Sequence, residues 1–253
     1  MSGAREVSEG TDKVRRKRVA FFGGSFDPPH LGHVGVARAA TTALGLDEVL
    51  FAPVGLQPLK MSDGATNLHA SFADRVAMVK LAIGDEASFH VSMLDAPKAG
   101  GQPNYTLDTL AELRREAGEE LELFLLVGAD AFRLLPRWHR AGEIPFAATL
   151  VVVARPGEDL ENLGRCLPVG LQLSREEAAG GNEALERYRI LAGNGRGACL
   201  FVLPDLRYEM SATALREQLQ SVGASGAREA FNPRVLAFIH EHGLYRRGGN
   251  SVD

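Results

Sequence analysis

The run Val19-Ala20-Phe21-Phe22-Gly23-Gly24-Ser25-Phe26-Asp27-Pro28-Pro29-His30-Leu31-Gly32-His33 constrains this chain more than any other stretch of it. Four apolar residues read as a buried strand, and the glycines after them let backbone pass close to a ligand. Pro28-Pro29 ends the strand and fixes a turn. Beyond it Val34, Ala37, Ala40, Thr41 and Leu44 recur at helical spacing. His30 and His33 stand three apart at the mouth of that helix, so both imidazoles share one face of its first turn. The same turn points N–H groups outward at the positive end of the helix dipole, which attracts phosphate. A strand, a glycine turn and two histidines at a helix N-terminus predict a polyphosphate site. No metal site is expected, because no carboxylate or third histidine is arranged nearby to complete a coordination set.

Downstream, strands and helices alternate. Residues 49–52, 89–93, 121–127, 149–154 and 200–203 read as strands, the apolar ones dense enough to be buried on both faces. Residues 70–83 carry Phe72, Val76, Val79, Lys80 and Ile83 at helical spacing. Residues 106–117 place Leu107, Leu110, Ala111 and Leu113 on one helical face, and Pro233 opens a last helix at its first turn. This order predicts an α/β fold with a Rossmann-like, doubly wound parallel sheet in a single domain, and ligands at the carboxyl ends of its strands. The expected division is a disordered basic arm over 1–17, a domain over 18–247 and a flexible tail over 248–253. Residues 157–197 break the rhythm and read as an inserted surface segment. Within it Ser174-Arg175-Glu176-Glu177 predicts a capped helix running to about Leu191. Gly193-Asn194-Gly195-Arg196-Gly197 precedes a strand instead of opening a helix, and is a loop, not a phosphate cradle.

A net charge of −4 argues against broad nucleic-acid binding while allowing a small basic pocket. The basic cluster of Lys13, Arg15, Arg16, Lys17 and Arg18 reads as charge flanking a buried strand, with an RNA-binding arm as the lesser alternative. Two cysteines without metal spacing read as ordinary thiols of a reducing compartment. No run reaches the length of a membrane span and no secretory apolar region precedes Val19, so a cytoplasmic protein without a membrane partner is expected.

The segment Gly23-Gly24-Ser25-Phe26-Asp27-Pro28-Pro29-His30-Leu31-Gly32-His33 resembles the GGxFDPxHxGH element of the nucleotidyltransferase superfamily. Further motifs follow in order: Tyr105-Thr106-Leu107-Asp108-Thr109-Leu110, Val127-Gly128-Ala129-Asp130, Leu135-Pro136-Arg137-Trp138, Arg155-Pro156-Gly157, Met210-Ser211-Ala212-Thr213-Ala214-Leu215-Arg216 and Gly243-Leu244-Tyr245. Together they resemble the bacterial nicotinate-nucleotide adenylyltransferases over roughly residues 18–245, apart from 157–197. The resemblance implies transfer of an adenylyl group from ATP to nicotinate mononucleotide, giving deamido-NAD and pyrophosphate in NAD biosynthesis. ATP and the mononucleotide are then the small-molecule partners, with no nucleic acid, and Mg²⁺ accompanies ATP as a bridging charge. A homo-oligomer is left open.

In such a reaction the attacking phosphate is already ionised at neutral pH, so donors and cations are needed, not a general base. His30 and His33 would donate to the ATP phosphates, and Arg216, one turn into a helix opened by Ser211 or Thr213, would add a guanidinium. The resemblance assigns ATP to Gly23, Gly24, Ser25, Phe26, Gly128, Asp130, Ser211, Ala212 and Thr213. It assigns the mononucleotide to Lys60, Thr106, Trp138, His139 and Arg155, with Thr106 near the pyridine carboxylate and Trp138 stacked on the ring. The chain departs from the family pattern in Gln57-Pro58-Leu59-Lys60, where a histidine is usual before the lysine. It departs again at His139, where tyrosine is frequent, and at Met210 and Ala212. The alternatives are a superfamily member acting on nicotinamide mononucleotide or pantetheine phosphate, one transferring cytidylyl groups, and a nucleotide-binding regulator without turnover.

Overall fold

The computed structural model describes residues 15–59, 68–153, 160–176, 185–203, 211–222 and 227–246. The expectations for Lys60, Arg155 and Met210, and for most of the arm and the whole of the tail, lie outside these residues. Among the described residues no helix is long and apolar enough to cross a membrane.

The strands are β1 (Lys17–Gly24), β2 (Glu48–Pro53), β3 (Phe89–Val91), β4 (Leu121–Gly128), β5 (Thr149–Val153), β6 (Leu171–Glu176), β7 (Glu186–Ala192) and β8 (Gly197–Leu203). The longer helices are α1 (Leu31–Leu44), α2 (Phe72–Ile83), α3 (Thr106–Ala117), α6 (Ala212–Val222) and α7 (Pro233–Glu241), with short helices α4 (Ala129–Arg133) and α5 (Ile144–Ala147). One sheet runs in the order β3-β2-β1-β4-β5-β8-β7-β6. Its first six strands are parallel, and β7 and β6 are added antiparallel at one edge.

Alternation along β1 shows why the sheet is covered on both sides. Ala20 and Phe22 belong to a core with Val34 and Ala37 of α1, Met78 and Val79 of α2, Leu215 of α6 and Val235 of α7. Val19 and Phe21 belong to the opposite core, with Leu107, Leu110 and Leu113 of α3, Phe132 of α4 and Ile144 of α5. Period-2 side-chain direction thus divides one apolar run between two layers, as a doubly wound fold requires. Helix α1 closes on Gly45, whose φ of 58° is the left-handed conformation that lets its N–H return to the carbonyl of Thr41. Ser71 caps α2 through the N–H of Asp74, and Asn232 caps α7 through that of Arg234.

Three local expectations are corrected. The helix predicted from Ser174 to Leu191 is instead the hairpin of β6 and β7. Tyr188 and Ile190 are buried while Arg187 and Arg189 are exposed, an alternation only a strand satisfies. Glu176 lies opposite Arg187 in the strand register and pairs with it at 2.8 Å. The glycine run 193–197 supplies the β7–β8 turn, where the Gly195 N–H bonds the Ala192 carbonyl. On α3, Ala111 is exposed and Thr109 is buried in its place. On α2 the buried face is rotated to Arg75, Met78, Val79, Ala82 and Ile83, leaving Lys80 outside.

Arg75 is only 1% exposed, and its guanidinium donates to the carbonyls of Ser25 at 2.7 Å and Val54 at 2.9 Å. It joins the end of β1 to the end of β2 where neither carbonyl has a ladder partner. Replacing Arg75 by Leu strands both acceptors and should cost about 2 kcal/mol or more in urea unfolding. Arg75→Lys should recover only part, because an ammonium group lacks the planar fork that spans two carbonyls.

Candidate active site

The sheet opens at its carboxyl edge for a simple reason. β1 stays paired with β2 as far as Gly24 and Pro53, and β4 with β5 as far as Gly128 and Val153. The ladder between β1 and β4 ends earlier, at Phe21 and Leu125. Beyond that pair the two central strands part, each held by its outer neighbour, as at the switch point of a doubly wound sheet. A cavity of about 590 Å³ fills the opening.

Gly23, Gly24 and Ser25 from β1 and the loop after it line the cavity, and Gly128 and Asp130 line it from the end of β4. A Cβ on Gly23 would come within 3.0 Å of the Phe21 ring and 3.7 Å of Asp95 Oδ2, so only glycine keeps that wall back. At Gly128 a Cβ would meet nothing within 4 Å. No described neighbour crowds that position, which lies open at the cavity wall. Thr106, Trp138 and His139 complete the far wall. Trp138 is half-buried, and its apolar side packs on the lower core. His139 lies against Tyr105 with ring centres 4.3 Å apart, giving that wall a second flat aromatic surface.

His30, His33, Phe26, Ser211, Ala212, Thr213 and Arg216 lie outside the cavity lining. They are grouped instead at the N-terminus of α1, reached by the loop that leaves Ser25. The His30 and His33 rings are 3.8 Å apart. The His30 N–H donates to His33 Nδ1 at 3.1 Å, which puts the proton of a neutral His33 ring on Nε2. Burial, and then the proximity of His30, hold the His33 pKa well below the usual histidine range. His33 is therefore a neutral Nε2–H donor near pH 7. Phe26, assigned to ATP by resemblance, has its ring buried 5.0 Å from that of His33 and edge-on to Phe22. Its side chain props the histidine, and its φ of 47° is a strained left-handed turn out of the strand.

Ser211 accepts the N–H of Ala214 and so caps α6. Arg216 donates to Thr213 Oγ1 at 3.0 Å and to the Asp27 carbonyl at 2.6 Å. No carboxylate among the described residues pairs with it, so its charge stands beside the histidine turn. Asp27 itself is 3% exposed and accepts from the His69 and Ala70 N–H groups and from the Tyr245 hydroxyl, the last at 2.6 Å. Burial and the Asp27 charge push the Tyr245 pKa up, so it stays a donor.

Several of these residues are not legible in the sequence. Arg75 and Asp27 carry no periodicity signal, and Tyr245 stood only as part of a motif without a role. Asp95 and Asn104, both buried at the cavity, lie between β3 and α3 on either side of a short 3-10 turn, Ala99–Gly101. Asn104 accepts the Leu56 N–H and donates to the Ala96 carbonyl, fastening the loop after β2 to the loop after β3. Burial raises the Asp95 pKa, against the hydrogen bond from Thr109 and the charge of Lys98.

A parallel sheet with a switch-point cavity beside a histidine-bearing helix N-terminus defines a nucleotidyltransferase-type site, and the model of the cytidylyltransferase-like family matches residues 21–218. The chain is 34% identical to the probable nicotinate-nucleotide adenylyltransferase of Gloeobacter violaceus, over 90% of this chain and 96% of that protein. It is 37% identical to that of Laribacter hongkongensis, over 91% and 96% respectively. Its fold matches a solved Plasmodium falciparum nicotinic acid mononucleotide adenylyltransferase complexed with NaAD. That match has a TM-score of 0.64 at 14% identity, over 90% of this chain and 97% of that one. The chain belongs to the nicotinate-nucleotide adenylyltransferase family.

The low proton affinity of His33 has a measurable consequence. In the unfolded chain it binds a proton near pH 6.5, in the folded one only at lower pH, so the contribution is full above about 6.5 and lost as pH falls toward the folded value. Urea stability measured from pH 7.5 down to 5.5 should therefore fall more steeply for the native protein than for His33→Asn.

Proposed function

We propose that this chain transfers the adenylyl group of ATP to nicotinate mononucleotide, releasing deamido-NAD and pyrophosphate. The observation that carries the reading is the end-to-end kinship with nicotinate-nucleotide adenylyltransferases, joined to a cavity at the end of β1 whose following loop leads to two histidines and Arg216. A phosphate oxygen of the mononucleotide attacks the α-phosphorus of ATP. The new P–O bond forms as the bond to the β-phosphate oxygen breaks, and pyrophosphate leaves with that electron pair. The nucleophile is already ionised, so no proton need be removed.

The protein's work is to hold two anions in line and spread the charge reaching the leaving group. In this reading His33 gives Nε2–H, the first turn of α1 gives backbone N–H groups, and Arg216 gives a full charge to the triphosphate. Gly23 and Gly24 let the phosphates approach the backbone, and Asp130 faces the adenosine side. Thr106, Trp138 and His139 take the pyridine ring, while Lys60 and Arg155 would add charge for the acceptor phosphate. Mg²⁺ enters with ATP as the counterion of its phosphates. Among the described residues no group of three or more His, Cys, Asp or Glu could hold an ion.

Pyrophosphate release from ATP with a panel of nicotinate mononucleotide, nicotinamide mononucleotide and phosphopantetheine tests the assignment. Nicotinate mononucleotide should give the highest kcat/KM. A preference for phosphopantetheine would overturn the reading, and no release with any acceptor would point to a nucleotide-binding regulator. A pair of variants then separates the two halves of the site. His33→Ala should lower kcat about 100-fold with the mononucleotide KM little changed. Trp138→Ala should raise the mononucleotide KM about tenfold while that for ATP stays within a factor of about two.

A further inference from the structure

Asp95 is a buried carboxylate inside the acceptor half of the cavity, and its surroundings leave half of it unused. It is 5% exposed, and Oδ1 accepts the Thr109 hydroxyl at 2.5 Å. Oδ2 takes no hydrogen bond from any described residue, and lies 3.7 Å from where a Cβ on Gly23 would stand. Both Asp95 and Gly23 line the cavity, so that oxygen is reached from within it. An ionised carboxylate is acceptor-only, so an Oδ2 open to the cavity is placed to take a donor from whatever fills it.

The chemistry of the acceptor narrows what that donor is. Nicotinate mononucleotide carries a phosphate and a ring carboxylate, both anionic acceptors that a carboxylate repels. Its only hydrogen-bond donors are the two ribose hydroxyls. The position agrees. Asp95 is tied through Thr109 to α3, whose first residue, Thr106, belongs to the ring end, while Gly23 leads into the phosphate-binding turn. The group between ring and phosphate is the ribose. We propose that Asp95 Oδ2 accepts a hydrogen bond from a ribose hydroxyl of the mononucleotide, making Asp95 a specificity determinant for a ribosyl acceptor. This rests on the adenylyltransferase reading above. Thr109 acts through Asp95, as a positioning residue that keeps Oδ1 occupied and Oδ2 turned to the ligand. A hydroxyl donor there also favours the ionised carboxylate over the neutral form that burial promotes.

The test is steady-state pyrophosphate release by the whole protein with ATP and three acceptors: nicotinate mononucleotide and its 2′-deoxy and 3′-deoxy analogues. The unaltered protein should show a KM for one deoxy analogue roughly 10- to 100-fold above that for the parent, the span of a hydrogen bond to a charged group. Asp95→Ala should raise the KM for the parent by a similar factor, leave the KM for that analogue within a factor of about two, and leave that for ATP unchanged. Asp95→Asn, which keeps the side-chain shape and an acceptor for Thr109, serves if the alanine variant fails to fold, and should shift the same ratio in the same direction. An equal loss for all three acceptors would overturn the proposal in favour of a structural role. A changed ratio between nicotinamide and nicotinate mononucleotide, with deoxy discrimination intact, would overturn it by placing Asp95 at the ring substituent. In both cases the adenylyltransferase reading stands. If the unaltered protein does not turn over nicotinate mononucleotide at all, that reading fails and this proposal with it.

Discussion

The loop between β1 and α1 is held by Asp27, and the histidine turn depends on it. Its carboxylate gathers two backbone N–H groups from 69–70 and the hydroxyl of Tyr245, while its carbonyl receives Arg216. Segments separated by 189 and 218 residues in the chain are thereby fixed to the same loop. Arg75 completes the anchorage by taking the Ser25 carbonyl two residues earlier. A charged group so deeply buried is tolerated because its carboxylate is met by donors from several directions. Catalytic geometry on a loop needs a rigid frame, and here the frame is polar, sequestered and built from distant parts of the chain.

The strand divergence at the carboxyl edge and the Asp27 anchorage divide the site into two halves with different physics. The half between β1 and β4 is a walled cavity of aromatic and small residues, suited to a flat ring and a sugar. The half at the start of α1 is a polar surface of N–H groups, a neutral imidazole and a guanidinium, suited to phosphates. Gly23 and Gly24 belong to the junction, where backbone without side chains separates the two. An in-line displacement needs this layout, since the reacting phosphates must meet where the halves join.

Much of this was legible in the chain. Apolar runs at 19–22, 121–127 and 149–154 announce strands because burial on both faces leaves at most one polar position in each, and α3 was bounded correctly because Gly118 and the Tyr105-Thr106 start are local signals. The β6–β7 hairpin was misread because Ser174-Arg175-Glu176-Glu177 mimics a capped helix start, whereas partners across the hairpin, such as Arg187 opposite Glu176, are a tertiary fact. Thr109 was passed over for Ala111 for the same reason. A hydroxyl faces inward only where an acceptor waits, and Asp95 lies 14 residues away. Motifs single out the histidines and Arg216 in the sequence, but the contacts of Asp27, Arg75 and Tyr245 around the same loop span long separations that no local pattern records.

A negatively charged chain that gathers anionic substrates must confine its positive groups, and the distribution here is consistent with that need. Against a net charge of −4, several surface bases are neutralised by nearby acids, as in Arg38 with Glu86 and Arg140 with Glu143. Arg216 has no such partner among the described residues, and its guanidinium is held beside the turn that carries the histidines by the Asp27 carbonyl. A carboxylate such as Asp95 inside the cavity between β1 and β4 is compatible with anionic ligands only if it addresses the one neutral part of them. Near the ring carboxylate or the phosphate it would oppose binding, and beside a hydroxyl it orients the sugar without adding to the charge at the reacting phosphorus. Donors for the anions and an acceptor for the neutral linker between them are thus complementary parts of a single recognition scheme, and either alone would hold the mononucleotide in more than one orientation.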